Sequence, residues 1–156
     1  MSLSNFTKKT KPITCTQSFS VREVAELMKD NDIGTVLVVD REKPIGMITD
    51  RDIVTRCITE SADCNKITAK DIMSSPVYTI GDHASILDLV EEMSTHHVRR
   101  VAIVNKEGRV TGMLSMADVF ELLSHEMSQL SEALGTRHQK LFRRANGSFQ
   151  ATALTF

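Results

Sequence analysis

Two stretches of this chain place a hydroxyl and a carboxylate three residues apart, behind a glycine and two apolar residues. The first reads Gly46-Met47-Ile48-Thr49-Asp50-Arg51-Asp52, and the second Gly112-Met113-Leu114-Ser115-Met116-Ala117-Asp118. That spacing fits a helix N-terminus, with Thr49 or Ser115 capping the first-turn amides and Asp52 or Asp118 favouring the dipole. The same geometry has a second use. Free amides and a hydroxyl form an anion site, and a nearby carboxylate can accept both hydrogen bonds of a ribose diol. The two uses are compatible, and residue chemistry alone leaves both open.

Other reactive residue types form no catalytic constellation. His96 and His97 are adjacent and therefore point in different directions, His83 stands apart, and no further cluster has metal-ligand spacing. Cys57 and Cys64 are seven residues apart rather than in a C-x-x-C, and Cys57 falls on an apolar helix face, so both read as buried free thiols. Met28, Met47, Met93 and Met113 fall at core-like spacing. Tyr78, the one tyrosine, can either stack on a planar ligand or pack. Without a nucleophile–base pair or a metal set, the chain does not read as an enzyme.

The elements that must carry these residues occur twice. An offset of 65 pairs Thr14 with Thr79, Ser20 with Ser85, Met28 with Met93, Val36 with Val101 and Val39 with Val104. One inserted residue near Arg109 makes the offset 66, which pairs Gly46 with Gly112 and Asp52 with Asp118. Each copy opens with a short extended piece (12–16; 76–80), followed by a helix capped at Ser20 or Ser85. A β-branched strand comes next (35–39; 98–104), then a turn (42–44; 106–109) and a second strand (45–48; 110–114). A further helix starts at Thr49 or Ser115. Each unit is β-α-β-β-α and too small to bury both faces alone, so two must pack together into one α+β body.

The paired motifs GMITDRDIVTR and GMLSMADVFELL, with DIMSSPVYTI and HHVRRVAIVNKEGRV, resemble a tandem cystathionine-β-synthase (CBS) domain pair, or Bateman module. The likeness spans roughly residues 8–126 and points to the stand-alone bacterial or archaeal type. It implies a pseudo-two-fold body that binds AMP, ADP, ATP or S-adenosylmethionine in two clefts, with no catalytic cofactor. It also implies a disc-like homodimer that regulates a partner protein the sequence does not name. By motif, Asp52 and Asp118 resemble the ribose carboxylates, and Thr49 and Ser115 the hydroxyls near ribose or phosphate. In the family each cleft borrows the leading segment of the opposite copy. Asp118 is thus expected to face residues 10–14, including Thr10, Pro12 and Ile13, and Asp52 to face residues 74–79, including Ser74, Val77 and Tyr78. Arg99 and Arg100 stand where the first copy has Gly34 and Thr35, and one of them is expected to meet phosphate. Arg51, replaced by Ala117 in the second copy, is a further phosphate candidate.

Composition sets the remaining bounds. The 156 residues hold 19 Lys+Arg and 20 Asp+Glu, a net charge of −1, which removes the usual electrostatic case for nucleic acid or an anionic membrane. Three cysteines are too few for a disulfide framework, so a reducing cytoplasm is the default compartment. No run is apolar enough to span a membrane. The expected organisation is an arm (1–7), two repeats (8–62 and 63–126) and a C-terminal extension (127–156). Val119, Phe120, Leu123, Met127, Leu130 and Leu134 carry the last helix well beyond the repeat, to a stop at Gly135. Beyond it Arg137, Lys140, Arg143 and Arg144 give a tail of +4, with Asn146–Gly147 as a turn signal. The competing reading is a dimerisation or docking module whose clefts bind nothing. RNA binding through the basic tail is weaker, because aromatics are few.

Overall fold

A computed structural model describes Leu3 and residues 12–134 of the chain. The first copy consists of strand β1 (Thr14–Cys15), helix α1 (Val21–Asp30), strands β2 (Thr35–Asp40) and β3 (Lys43–Thr49) and short helix α2 (Asp50–Ile53). Helix α2 runs into a π turn at Val54–Ile58, and helix α3 (Ala69–Ile72) precedes the second copy. That copy comprises β4 (Thr79–Gly81), α4 (Ile86–Thr95), β5 (Arg100–Val104), β6 (Val110–Ser115) and α5 (Met116–Ala133). Two three-stranded sheets result, ordered β1-β2-β3 and β4-β5-β6, each with one parallel and one antiparallel pair. The expected α+β tandem of β-α-β-β-α units is the observed architecture. The described residues up to Met116 form one compact unit containing both sheets, and those from Ala117 to Leu134 belong to a second.

The duplication reaches down to single hydrogen bonds. Ser20 and Ser85 cap α1 and α4 with full capping boxes, answered by Glu23 and Asp88. The backbone N–H and hydroxyl of each cap hold these two carboxyls below the usual carboxylate range. Both helices end in a Schellman motif, with Ile33 N–H bonded to Met28 O and Val98 N–H to Met93 O. The left-handed residue this requires is Asp32 (φ 52°) in one copy and His97 (φ 54°) in the other. His97 thus has a backbone role. Both β-hairpins also carry an irregularity at matching places, Val38/Val39 and Ile103/Val104.

The hairpin turns are where the copies differ. Arg41 and Glu42, with φ of 48° and 66°, form a two-residue turn, so β3 begins at Lys43, two residues before the expected Ile45. Pro44 lies inside β3, which is tolerable because β3 is an edge strand. The inserted residue of the second copy falls in the longer turn after Val104, where Gly108 takes φ 75°. The two hairpins meet: Val110 N–H donates to Glu42 O at 2.9 Å, and Arg109 Nη1 reaches Glu42 Oε2 at 2.9 Å.

Neither copy closes its own core. Ala69 and Ile72 of α3, leading into the second copy, are buried with Val21, Val24, Val36, Val38 and Ile48 of the first. Ala69 N–H donates to Phe19 O at 2.7 Å. Leu3 N–H donates to Ala84 O at 3.0 Å, the same contact with the copies exchanged, and Leu3 is fully buried.

One expectation is overturned. Cys57 and Cys64 are joined in a disulfide, with Cα atoms 6.3 Å apart. The chain reverses after the π turn through Ser61 (φ 54°), and Ala62 N–H donates to Cys57 O, which brings the two cysteines together despite their spacing. A reducing compartment inferred from unpaired cysteines loses that support. Cys15 is the free cysteine among the described residues, and burial pushes its thiol up to about 11. We expect reduction of the disulfide to lower unfolding stability by about 2 kcal/mol, the chain-entropy value for so short a loop. Urea titrations with and without a dithiol reductant measure this, and iodoacetamide should label native protein only after reduction, with Cys15 protected.

Candidate functional site

The first hydroxyl–carboxylate pair lies at the junction of β3 and α2. Thr49 is the N-cap of α2, and Asp52 Oδ2 accepts from Thr49 N–H at 2.8 Å and from Thr49 Oγ1 at 2.7 Å. Asp52 N–H returns a bond to Thr49 Oγ1 at 3.2 Å. The capping role expected of this pair is therefore present. The second carboxylate oxygen, Oδ1, points to Arg56 Nη2 at 3.3 Å.

Arg56 connects this pair to the other copy's leading segment. Its Nη1 donates to Ile72 O at 2.6 Å and its Nη2 to Ser74 Oγ at 3.1 Å. Ser74 is also held by the backbone, exchanging both ladder hydrogen bonds with Met47 of β3 at 2.9 and 3.0 Å. Gly46 makes that approach possible, because a Cβ there would run into the Met73 side chain. Thr49, Asp52 and Ser74 are thus brought together around Arg56, a residue not singled out in the sequence. Its i,i+4 relation to Asp52 was the available signal.

Thr35 adds a second residue that the sequence reading passed over. It pairs across the sheet with Thr49, so both project from the same face. Thr35 is 5% exposed, and its Oγ1 has no hydrogen-bond partner. At the corresponding place in the second copy, Arg100 pairs with Ser115. Arg100 is half-buried, whereas Arg99 is exposed and offers its carbonyl to Met116 N–H at 2.9 Å. Arg99 precedes β5, and Arg100 is its first residue.

The remaining candidates are more dispersed. Arg51 is exposed, and its backbone N–H donates to Asp50 Oδ1. Val77 is half-buried. The Tyr78 ring stacks on His96, with centroids 4.0 Å apart and planes 18° from parallel, so both rings already have a partner. Pro12 is half-buried, and Ile13 packs against the first copy's core while its carbonyl accepts from Leu37 N–H at 3.2 Å. Asp118 stands in the first turn of α5, in the second compact unit. Thr10, Gly135 and the basic tail lie outside the described residues. No helix among the described residues is long and apolar enough to cross a membrane, and no group of three or more His, Cys, Asp or Glu among them could hold a metal.

The CBS domain family model matches this chain twice, over residues 5–58 and 69–125. The chain belongs to the CBS domain family. An uncharacterized protein of Methanopyrus kandleri is 28% identical over 130 residues, which cover 83% of this chain and 66% of that protein. Among solved structures, a CBS domain protein of Pyrobaculum aerophilum complexed with AMP is 29% identical, with a TM-score of 0.67, covering 76% of this chain and 89% of that one. A CBS domain pair in complex with 5′-methylthioadenosine and S-adenosyl-L-methionine is 27% identical, with a TM-score of 0.62, covering 72% and 91%.

The capping function of Thr49 is separable from ligand binding. Thr49→Ala should destabilise the fold by about 1 kcal/mol, with Thr49→Ser close to wild type, in urea denaturation without ligand. Equal stability of all three proteins would refute the cap.

Proposed function

We infer that this chain is a non-catalytic regulatory module that binds an adenine nucleotide or other adenosyl ligand between its CBS repeats. The observation that carries this reading is the Thr49–Asp52 pair set against Ser74 of the opposite copy's leading segment. A carboxylate, hydroxyls and a guanidinium in one cluster suit a ribose diol and an anionic substituent. The buried, unpartnered Thr35 hydroxyl supplies a further polar contact. The complexes of similar CBS proteins with AMP, 5′-methylthioadenosine and S-adenosyl-L-methionine support the ligand class.

In this reading Asp52 and Asp118 accept from ribose, Thr49 and Ser115 lie near ribose or phosphate, and Arg100 is the better placed of the two consecutive arginines to meet phosphate. Ligands of this class belong to the cytoplasm, and the module is assigned to that compartment. Signalling requires a ligand that binds two arrangements of the module with different affinity.

A thermal-shift screen against AMP, ADP, ATP and S-adenosylmethionine tests the proposal. At 100 times its dissociation constant, one ligand adds about 2.7 kcal/mol, a shift of several degrees for a chain of this size. Asp118→Ala and Asp52→Ala should each reduce the response, by unequal amounts. A flat screen on nucleotide-free protein would favour the ligand-free interaction module instead.

That second reading has one observation of its own. Phe120, Leu123, Met127 and Leu130 of α5, with Leu134 just past its end, repeat at steps of three and four, and each is 45–65% exposed. Such a heptad seam suits a second helix, and Glu121 and Glu132 lie outside it. We place a homodimer contact there. Leu123→Glu with Met127→Glu should convert a dimer to a monomer in light scattering, and an unchanged mass would remove α5 from the interface.

A further inference from the structure

We propose that the Cys57–Cys64 disulfide is a site of thiol–disulfide exchange with cellular thiols, and that its redox state sets the affinity of the Asp52 site. In a reducing cytoplasm, the compartment assigned above, disulfides are rare, and those that form are mostly redox-sensing or catalytic. The bond ties the end of the first matched repeat to the stretch that precedes the second. It also has access to solvent on one side. Cys57 is fully buried, but Cys64 is half-buried, and Ile58, Thr59, Glu60, Ser61 and Asp63 between them are exposed. Cys15, buried and with its thiol pushed up to about 11, stays out of the exchange.

An incoming thiolate attacks Cys64 Sγ, the S–S bond breaks, and Cys57 leaves as a thiolate that takes up a proton. A second thiolate, from the same dithiol or another thiol molecule, attacks the mixed disulfide and frees Cys64, which is protonated in turn. The protein pair gains two electrons and two protons, and the two reductant sulfurs leave as a disulfide. Backbone bonds hold the loop whether or not the sulfurs are joined. Ser61 N–H donates to Ile58 O at 3.1 Å, Ala62 N–H to Cys57 O at 3.0 Å and Ile67 N–H to Asp63 O at 3.0 Å. Ala62 O lies 3.7 Å from Cys57 Sγ and 3.9 Å from Cys64 Sγ, so it can accept from either thiol after reduction. The sulfurs stay close, and the step is reversible.

The effect on ligand, which rests on the adenosyl-ligand reading, passes through Arg56. This residue immediately precedes Cys57, and its guanidinium holds Ile72 O and Ser74 Oγ. Cys64 O accepts from Arg22 N–H at 3.0 Å, in the first turn of α1. With the disulfide closed, the turn that carries Arg56 is tied to that fixed point. Reduction releases the tie, and Ser74 is held less firmly beside Thr49 and Asp52. The second copy has Leu123 at the position matching Cys57, so the control belongs to the first copy alone.

The test begins with wild-type, nucleotide-free protein in a glutathione buffer at cytosolic poise. After acid quench and alkylation in denaturant, mass measurement should find the pair more than half reduced; a pair that stays oxidised there is structural and overturns the proposal. Calorimetry with AMP, with Asp52→Ala marking this site's share of the binding, should give an affinity about fivefold lower in protein reduced with dithiothreitol than in oxidised protein. By linkage, saturating AMP should shift the oxidised-to-reduced ratio by the same factor. Cys64→Ser should bind like the reduced protein in either buffer, and reduced wild type stands in if this variant does not fold. Arg56→Lys, which keeps the charge but not the fork, should bind AMP alike in both redox states.

Equal AMP affinity in oxidised and reduced wild type would overturn the coupling and leave the ligand reading intact. A redox effect that survives in Arg56→Lys would overturn the route through Arg56. No AMP binding in either state would overturn the ligand reading and the coupling with it, and the exchange site then stands or falls on the glutathione equilibrium alone.

Discussion

A three-stranded sheet with one covering helix cannot bury both of its faces, and that shortage organises this molecule. Each copy is completed by the segment that leads into the other. Ala69 and Ile72 fill the first copy's core, with Ala69 bonded to Phe19, while Leu3 makes the matching bond to Ala84 of the second. The exchange fixes where the leading segments run. In the first copy it delivers Ser74 to the edge of β3 beside Met47, two residues from the Thr49 cap. Gly46 is the local condition, since a side chain there would meet Met73. The candidate site is therefore a by-product of how the core is closed, and it exists only when both copies are folded.

Everything carried by local sequence was legible beforehand. The Ser20 and Ser85 caps, the helical apolar spacing after them and the β-branched strands depend on residues within one or two turns of each other, and they appear where the spacing put them. The features that escaped are those closed by distant partners or by an unusual backbone. Asp52 and Arg56 have readable i,i+4 spacing, but nothing in the sequence tells that the same guanidinium reaches Ile72 and Ser74. Cys57 and Cys64 pair because a π turn and a positive φ at Ser61 fold the chain back, neither of which has a strong residue signature here. Leu3 is buried through a contact with Ala84, eighty-one positions away, which no window of local sequence contains.

Duplication gives the two copies the same backbone while leaving their side chains free to diverge. The register that sets Thr35 across from Thr49 sets Arg100 across from Ser115, so one structural position holds a small buried hydroxyl in one copy and a long cation in the other. Four residues past each motif carboxylate, the contrast runs the opposite way: Arg56 in the first copy, Leu122 in the second. Arg56 pairs with Asp52 in the first copy, whereas in the second Arg100 stands across from Ser115, so the two cations come from different elements. Arg100 is anchored on a strand, where its backbone is held by the ladder to β6, and its direction is set by the pleat. Arg56 stands in a π turn, beside a disulfide cysteine, and reaches across to the connecting segment.

These placements have different energetic consequences. A strand-borne arginine is ordered with its ladder, so the entropy of its backbone is lost when the sheet forms. Arg56, on a short turn of helix, is held instead by its side-chain contacts to Asp52, Ile72 O and Ser74 Oγ. Exposed ion pairs contribute little on their own, about 0–1 kcal/mol. The Asp52–Arg56 pair is accompanied by bonds from the same guanidinium to Ile72 O and Ser74 Oγ, which tie the α2 segment to the chain leading into the second copy. In the first copy one side chain thus joins the hydroxyl–carboxylate pair to the segment that completes its core, so the two are held or lost together.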